Sequence, residues 1–139
     1  MHDFDLLHIS LADQCLYGFV AGQLQLRLPV STALKGAGEQ QGSFCTPRGL
    51  HRIEQKIGDE APCGAVFKGR QWTGEVWSQE LHQQYPQRDW ILTRILWLSG
   101  CEPGINQGGE VDSQQRYIYL HGTPDCEPMG VPRSHGCVR

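Results

Sequence analysis

Glycine and proline interrupt this chain so often that little room is left for long helices. There are 17 glycines and 8 prolines in 139 residues, with glycine well above its usual ~7%. Such punctuation favours many short strands joined by turns. The clearest strand is Gln23–Val30, where Leu24, Leu26, Leu28 and Val30 alternate with Gln23, Gln25 and Arg27. A period of two places one set against a core and the other in water, so a half-buried strand is expected. Leu6–Leu11 and Cys15–Val20 are short apolar runs with the same chemistry, and Ala21-Gly22 offers the turn of a hairpin. Residues 35–43 form a loop by composition, and Thr46–Ile53 reads as a turn leading into a strand. Ser78–Tyr85 is a short helix stopped by Pro86. Trp90–Leu98 is apolar nearly all round, and its β-branched and aromatic content favours a buried strand. A glycine-rich loop at 104–109 precedes a strand at Arg116–Leu120. The four tryptophans, at 72, 77, 90 and 97, are most simply walls of a core or cleft. One mainly-β domain spanning 1–139 is expected.

Charge narrows the function. Twelve basic residues against fifteen acidic ones give a net charge of −3, so no electrostatic footprint for nucleic acid exists. No stretch approaches the ~18 apolar residues that span a membrane. Met1–Asp5 is acidic, without a basic start or an apolar run, which leads to the expectation of a cytoplasmic protein. A removed leader would instead place it in the periplasm or cell envelope. The six cysteines, at 15, 45, 63, 101, 126 and 137, include no CxxC pair. In a reducing compartment, free thiols are the expected state.

Chemistry concentrates in the last 23 residues, from Tyr117 to Arg139. His121 ends a strand, a proline- and glycine-rich loop follows, and Cys137 sits in the turn Ser134-His135-Gly136-Cys137. A thiol is mostly protonated at neutral pH, and a nearby imidazole can take its proton. Gly136 lets backbone N–H groups approach the place where negative charge develops on an acceptor carbonyl. Cys15, Cys45, Cys63 and Cys101 read as small buried hydrophobes. His2, His8, His51 and His82 read as surface or filler groups. His121, Cys126, His135 and Cys137 could in principle ligate zinc, but the His-Gly-Cys spacing is awkward for two ligands of one ion. No metal and no cofactor is expected.

His121-Gly122-Thr123, Gly130 and Ser134-His-Gly-Cys-Val-Arg139 closely resemble the signature of the L,D-transpeptidase catalytic domain, the YkuD-type family. Thirteen positions separate His121 from Ser134, which fits the family spacing. Upstream, Val30-Ser-Thr32 and Thr46-Pro-Arg-Gly49 resemble two further family blocks, with Ala33 where glycine is usual. The resemblance implies a β-sandwich with one or two short helices and a cysteine at the head of a cleft. It implies Cys137 as nucleophile and His121 as general base, oriented by the backbone carbonyl of Gly122 in place of a triad carboxylate. Ser134, His135 and Gly136 would shape the turn, with the N–H groups around 136–137 at the oxyanion and His135 as a supporting group. Arg139 would bind a substrate carboxylate or lock the turn, the first being favoured. Family domains normally continue past this Cys-x-Arg, so the chain is expected to lack its C-terminal closing elements.

The substrate implied by the resemblance is a peptidoglycan stem tetrapeptide or muropeptide, cleaved before its terminal D-alanine through a thioester. Water as acceptor makes an L,D-carboxypeptidase of muropeptide recycling; an amine of a second stem makes a transpeptidase forming 3–3 cross-links. A cytoplasmic location favours water. β-Lactams, carbapenems above all, are implied as covalent inhibitors. A zinc-binding module and a non-catalytic wall-binding module are the alternatives outside this chemistry.

Overall fold

A computed structural model describes residues 3–139; His2 lies outside them. The strands are β1 (Leu6–Ser10), β2 (Cys15–Val20), β3 (Gln23–Pro29), β4 (His51–Ile57), β5 (Ala65–Lys68), β6 (Gln71–Val76), β7 (Ile91–Gly100) and β8 (Tyr119–Gly122). Helix α1 (Gln79–Gln84) and a 3-10 turn at Gly109–Val111 complete the elements. The Ser78 hydroxyl caps α1 by accepting from Leu81 N–H at 3.1 Å. This satisfies one of the N–H groups a helix start leaves unpaired.

Two antiparallel sheets form: a meander β1-β2-β3, and a five-stranded sheet built around β7. β8 takes one edge of β7, while β4 and β5 share the other. Period two along β7 then divides its side chains between two cores. Leu96 and Leu98 join Leu16, Val30, Ile118, Leu120 and Val138 between the sheets. Ile95 and Trp97 point the other way, onto Phe67, Ala65, Tyr119 and Cys137. The expected mainly-β sandwich with a short helix is therefore the fold observed.

Local register departs from the sequence pattern in β3. A bulge between Gly18 and Phe19 pairs Leu26 with Gly18 but Leu24 with Phe19. Adjacent residues of β2 face opposite sides, so Leu24 shares a face with Phe19 and leaves that of Leu26. Leu24 is 52% exposed and Leu28, near the strand end, 46%; of the four alternating residues only Val30 is fully buried. A second correction concerns Arg116–Leu120. Arg116 and Tyr117 close a turn, through Arg116 N–H to Asp112 C=O and Tyr117 N–H to Gln114 C=O. The strand begins only at Tyr119 and carries His121 inside it. A third concerns the cysteines: Cys15 is buried, but Cys45 and Cys101 are half-buried and Cys63 is exposed.

Ile95 is 1% exposed at the centre of the second core. Ile95→Ala should cost about 2–5 kcal/mol in urea unfolding, and Leu24→Ala less than about 1 kcal/mol. Equal losses at the two positions would contradict this assignment of cores.

Candidate active site

The last three residues form a strip along the outer edge of β8. Val138 N–H donates to Tyr119 C=O at 2.9 Å, and His121 N–H donates to Val138 C=O at 3.1 Å. On its far side the strip exchanges hydrogen bonds with Ser31, at 2.9 and 3.0 Å through Arg139 N–H and C=O. The parallel pairing of Leu120 with Val138 sets the faces. Leu120 and Val138 enter the inter-sheet core, so Tyr119, His121, Cys137 and Arg139 share the opposite face. Residues distant in sequence are thus brought onto one surface by register alone.

His121 is 8% exposed. Its Nδ1 lies 2.7 Å from the Gly122 carbonyl, so the proton sits on Nδ1 and Nε2 carries the lone pair. Burial holds the imidazole below its ordinary pKa, against the opposing pull of that carbonyl and of Asp89. Gly122 is required here: a Cβ would stand 2.6 Å from the Leu92 carbonyl. That carbonyl belongs to a bulged part of β7, where Leu92 pairs with Gly122 and Ile95 with His121.

The Cys137 sulfur accepts from Tyr119 N–H at 3.3 Å and donates to Tyr117 C=O at 3.3 Å. Burial pushes the thiol up to about 11, and the Asp89 carboxylate adds to it, while Tyr119 N–H, Arg139 and Arg116 pull the other way. At neutral pH the resting pair is therefore thiol and neutral imidazole. No hydrogen bond joins Cys137 to His121 among the described residues.

Ser134 and Gly136 tie down the turn before the cysteine. Ser134, 2% exposed, donates through Oγ to Cys137 C=O at 2.5 Å and accepts Gly136 N–H at 3.2 Å. Gly136 N–H is thus engaged, and Cys137 N–H has no partner among the described residues. Gly136 has φ +133° and lies against the Cys45 carbonyl, where a Cβ would come within 3.2 Å. Thr46 Oγ1 donates to Gly136 C=O at 2.8 Å and accepts from Ala33 N–H at 2.9 Å. This hydroxyl links the second upstream block to the cysteine turn, while the first block meets it through the backbone, Ser134 N–H donating to Thr32 C=O at 2.9 Å.

His135 is exposed, with Nδ1 3.6 Å from Asp89 Oδ2. Arg139 is half-buried and ion-paired, 2.8 Å from Asp89 and 3.6 Å from Glu127. In this arrangement its guanidinium anchors the strip, and a substrate carboxylate would have to displace Asp89. Nothing in the sequence marked Asp89 or Glu127, whose roles exist only after folding. Beneath the turn, Arg116 donates to Cys45 C=O at 2.8 Å and to Gly38 C=O at 3.3 Å. Among the described residues no three His, Cys, Asp or Glu side chains converge as a metal site.

Of the six non-glycine residues with positive φ among the described residues, four lie around this surface: Phe44, Arg70, Thr93 and Tyr117, between 58° and 74°. Each such conformation costs on the order of 1–3 kcal/mol and persists only where surroundings enforce it.

With iodoacetamide at pH 7, Cys137 should label more slowly than the exposed Cys63 and Cys126, its rate still climbing toward about pH 11. Labelling followed residue by residue by mass spectrometry checks this. Fastest labelling of Cys137 at neutral pH would contradict a protonated resting thiol.

The family model of the YkuD L,D-transpeptidase catalytic domain matches residues 5–139. No curated protein and no solved structure matches the chain.

Proposed function

The chain belongs to the L,D-transpeptidase family, whose catalytic domains act on peptidoglycan, and from that premise we propose that it is an L,D-carboxypeptidase acting through Cys137. The observation that carries this reading is the shared face of Cys137 and His121, with Nδ1 of the histidine held by Gly122 C=O at 2.7 Å. Held this way, Nε2 is the nitrogen free to act as a base.

The donor is a stem tetrapeptide. His121 Nε2 takes the thiol proton as Cys137 Sγ bonds to the carbonyl carbon of the third residue. Concerted transfer suits a thiol whose own pKa lies so high, because no free thiolate need accumulate first. The free N–H of Cys137 meets the negative charge growing on the carbonyl oxygen. As the tetrahedral intermediate collapses, the C–N bond to D-alanine breaks, and the leaving amine receives the proton from His121. A thioester remains on Cys137. His121, neutral again, removes a proton from water, which attacks the thioester and releases the tripeptide acid and the thiol.

Water is the acceptor that asks least of the protein. It reaches a thioester on a half-buried cysteine without a recognition surface, whereas a second stem would need one. Hydrolysis of soluble muropeptides requires no polymeric wall at hand, so the cytoplasm is the compartment we propose. A carbapenem would acylate the same thiol.

Incubation with a disaccharide-tetrapeptide, with and without an added amine acceptor, should release one D-alanine and yield tripeptide without dimer, read by mass spectrometry. Cys137→Ala should abolish turnover, and His121→Ala should reduce it by about 10²–10⁴-fold. A cross-linked dimer would overturn hydrolysis in favour of transpeptidation. Full activity of Cys137→Ala would overturn the thioester route itself.

A further inference from the structure

Three arginines stand around the thiol's surface, and two of them are already committed. Arg139 is ion-paired with Asp89 and Glu127. Arg116 is half-buried beneath the turn, with its donors on backbone carbonyls and Ser43 Oγ. Arg70 differs. It lies at the tip of the β5–β6 hairpin, and its one described hydrogen bond is to a neutral group, the Tyr119 hydroxyl at 3.2 Å. Its guanidinium lies 4.4 Å from the Tyr117 ring centroid and 5.3 Å from that of Trp97. No carboxylate pairs with it among the described residues, so most of the donors of a planar cationic fork remain available.

The backbone beneath this group is strained on both sides of the contact. Gly69 and Arg70 form the two-residue loop, with φ of 56° and 62°. Glycine, asparagine or aspartate is the usual occupant of such a position, and arginine there is unfavourable. Tyr117, the ring that Arg70 covers, also has positive φ, 58°. This conformation lets one residue present its carbonyl to the Cys137 sulfur at 3.3 Å and its ring to Arg70. A staple of the hairpin would not require an arginine where glycine is the easier residue.

We propose that Arg70, seated on Tyr117, Tyr119 and Trp97, binds the terminal carboxylate of the residue that leaves. Both neighbours of the thiol lead to this guanidinium. Tyr119 meets the sulfur through its N–H at 3.3 Å and Arg70 through its hydroxyl at 3.2 Å, and Tyr117 meets the sulfur through its carbonyl and Arg70 through its ring. A guanidinium matches a carboxylate with two parallel hydrogen bonds. Recognition of a free C-terminus restricts the enzyme to removing one final residue. The inference rests on the proposed donor but is independent of the acceptor.

The test is equilibrium binding of the tetrapeptide and of its C-terminal amide to Cys137→Ala protein, with and without Arg70→Gln. The acid should bind about 10- to 100-fold more tightly than the amide, the span expected for hydrogen bonds to a charged group. Arg70→Gln should erase that preference while leaving amide binding within about twofold. Arg70→Gly, which suits the loop, should erase it too without lowering the melting temperature. A preference that survives Arg70→Gln, or equal losses for acid and amide, would overturn the assignment. Acid-selective binding that depends on Arg70, in a protein whose unmutated form releases no D-alanine, would sink the proposed activity and leave this site standing.

Discussion

Everything at the site depends on a three-residue strip hydrogen-bonded along both edges. Residues 137–139 pair with β8 on one side and with Ser31 on the other. In-register pairing leaves no freedom to choose a face, because a slip of one residue would turn the cysteine into the inter-sheet core. Val138 is 3% exposed in that core, so hydrophobic burial resists the slip. Packing of one valine therefore fixes where the neighbouring thiol points. Thr46, bridging Ala33 N–H and Gly136 C=O, holds the turn that delivers the strip.

The same burial sets the electrostatics. It raises the thiol and lowers the imidazole, so both neutral forms are favoured together. Asp89 raises both groups and Arg139 lowers both, and the two are ion-paired with each other at 2.8 Å. Their fields oppose each other at the reacting pair. Desolvation is the largest influence on both groups, and it keeps the proton on sulfur until a substrate carbonyl is present to be attacked. For stability, the sign is fixed by the same shifts. The buried imidazole's contribution is present above the ordinary histidine range and declines as pH falls through it. The thiol's contribution declines as pH rises toward about 11.

Much of this was legible in the sequence wherever one residue type does one job. Apolar alternation located β3, an apolar run located β7, and Ser78 with Pro86 bounded the helix. Cys137 and Gly136 stood out because thiol chemistry needs a nucleophile and an open backbone beside it, while the choice of His121 as base and the part of Ser134 came from the resemblance to the family signature. What escaped depends on pairing that no short window contains. The face of Leu24 was reversed by a bulge opposite Gly18. β5 and β6 carried no reading because each is short and glycines at 64, 69 and 74 interrupt any pattern. Tyr117 was drawn into a strand by its β-forming chemistry, although its positive φ places it in a turn. Asp89 and Arg70 carried no local signal at all, since each acquires its neighbours only across the fold.

The measurement closest to the centre of this account is rapid quenching of the protein during turnover of a stem tetrapeptide, followed by intact-mass analysis and peptide mapping. The account predicts an adduct equal in mass to the donor less D-alanine, on the peptide containing Cys137, and labile to hydroxylamine as a thioester. Turnover with no adduct at Cys137, or with the adduct on Cys126 or Cys63, would contradict it.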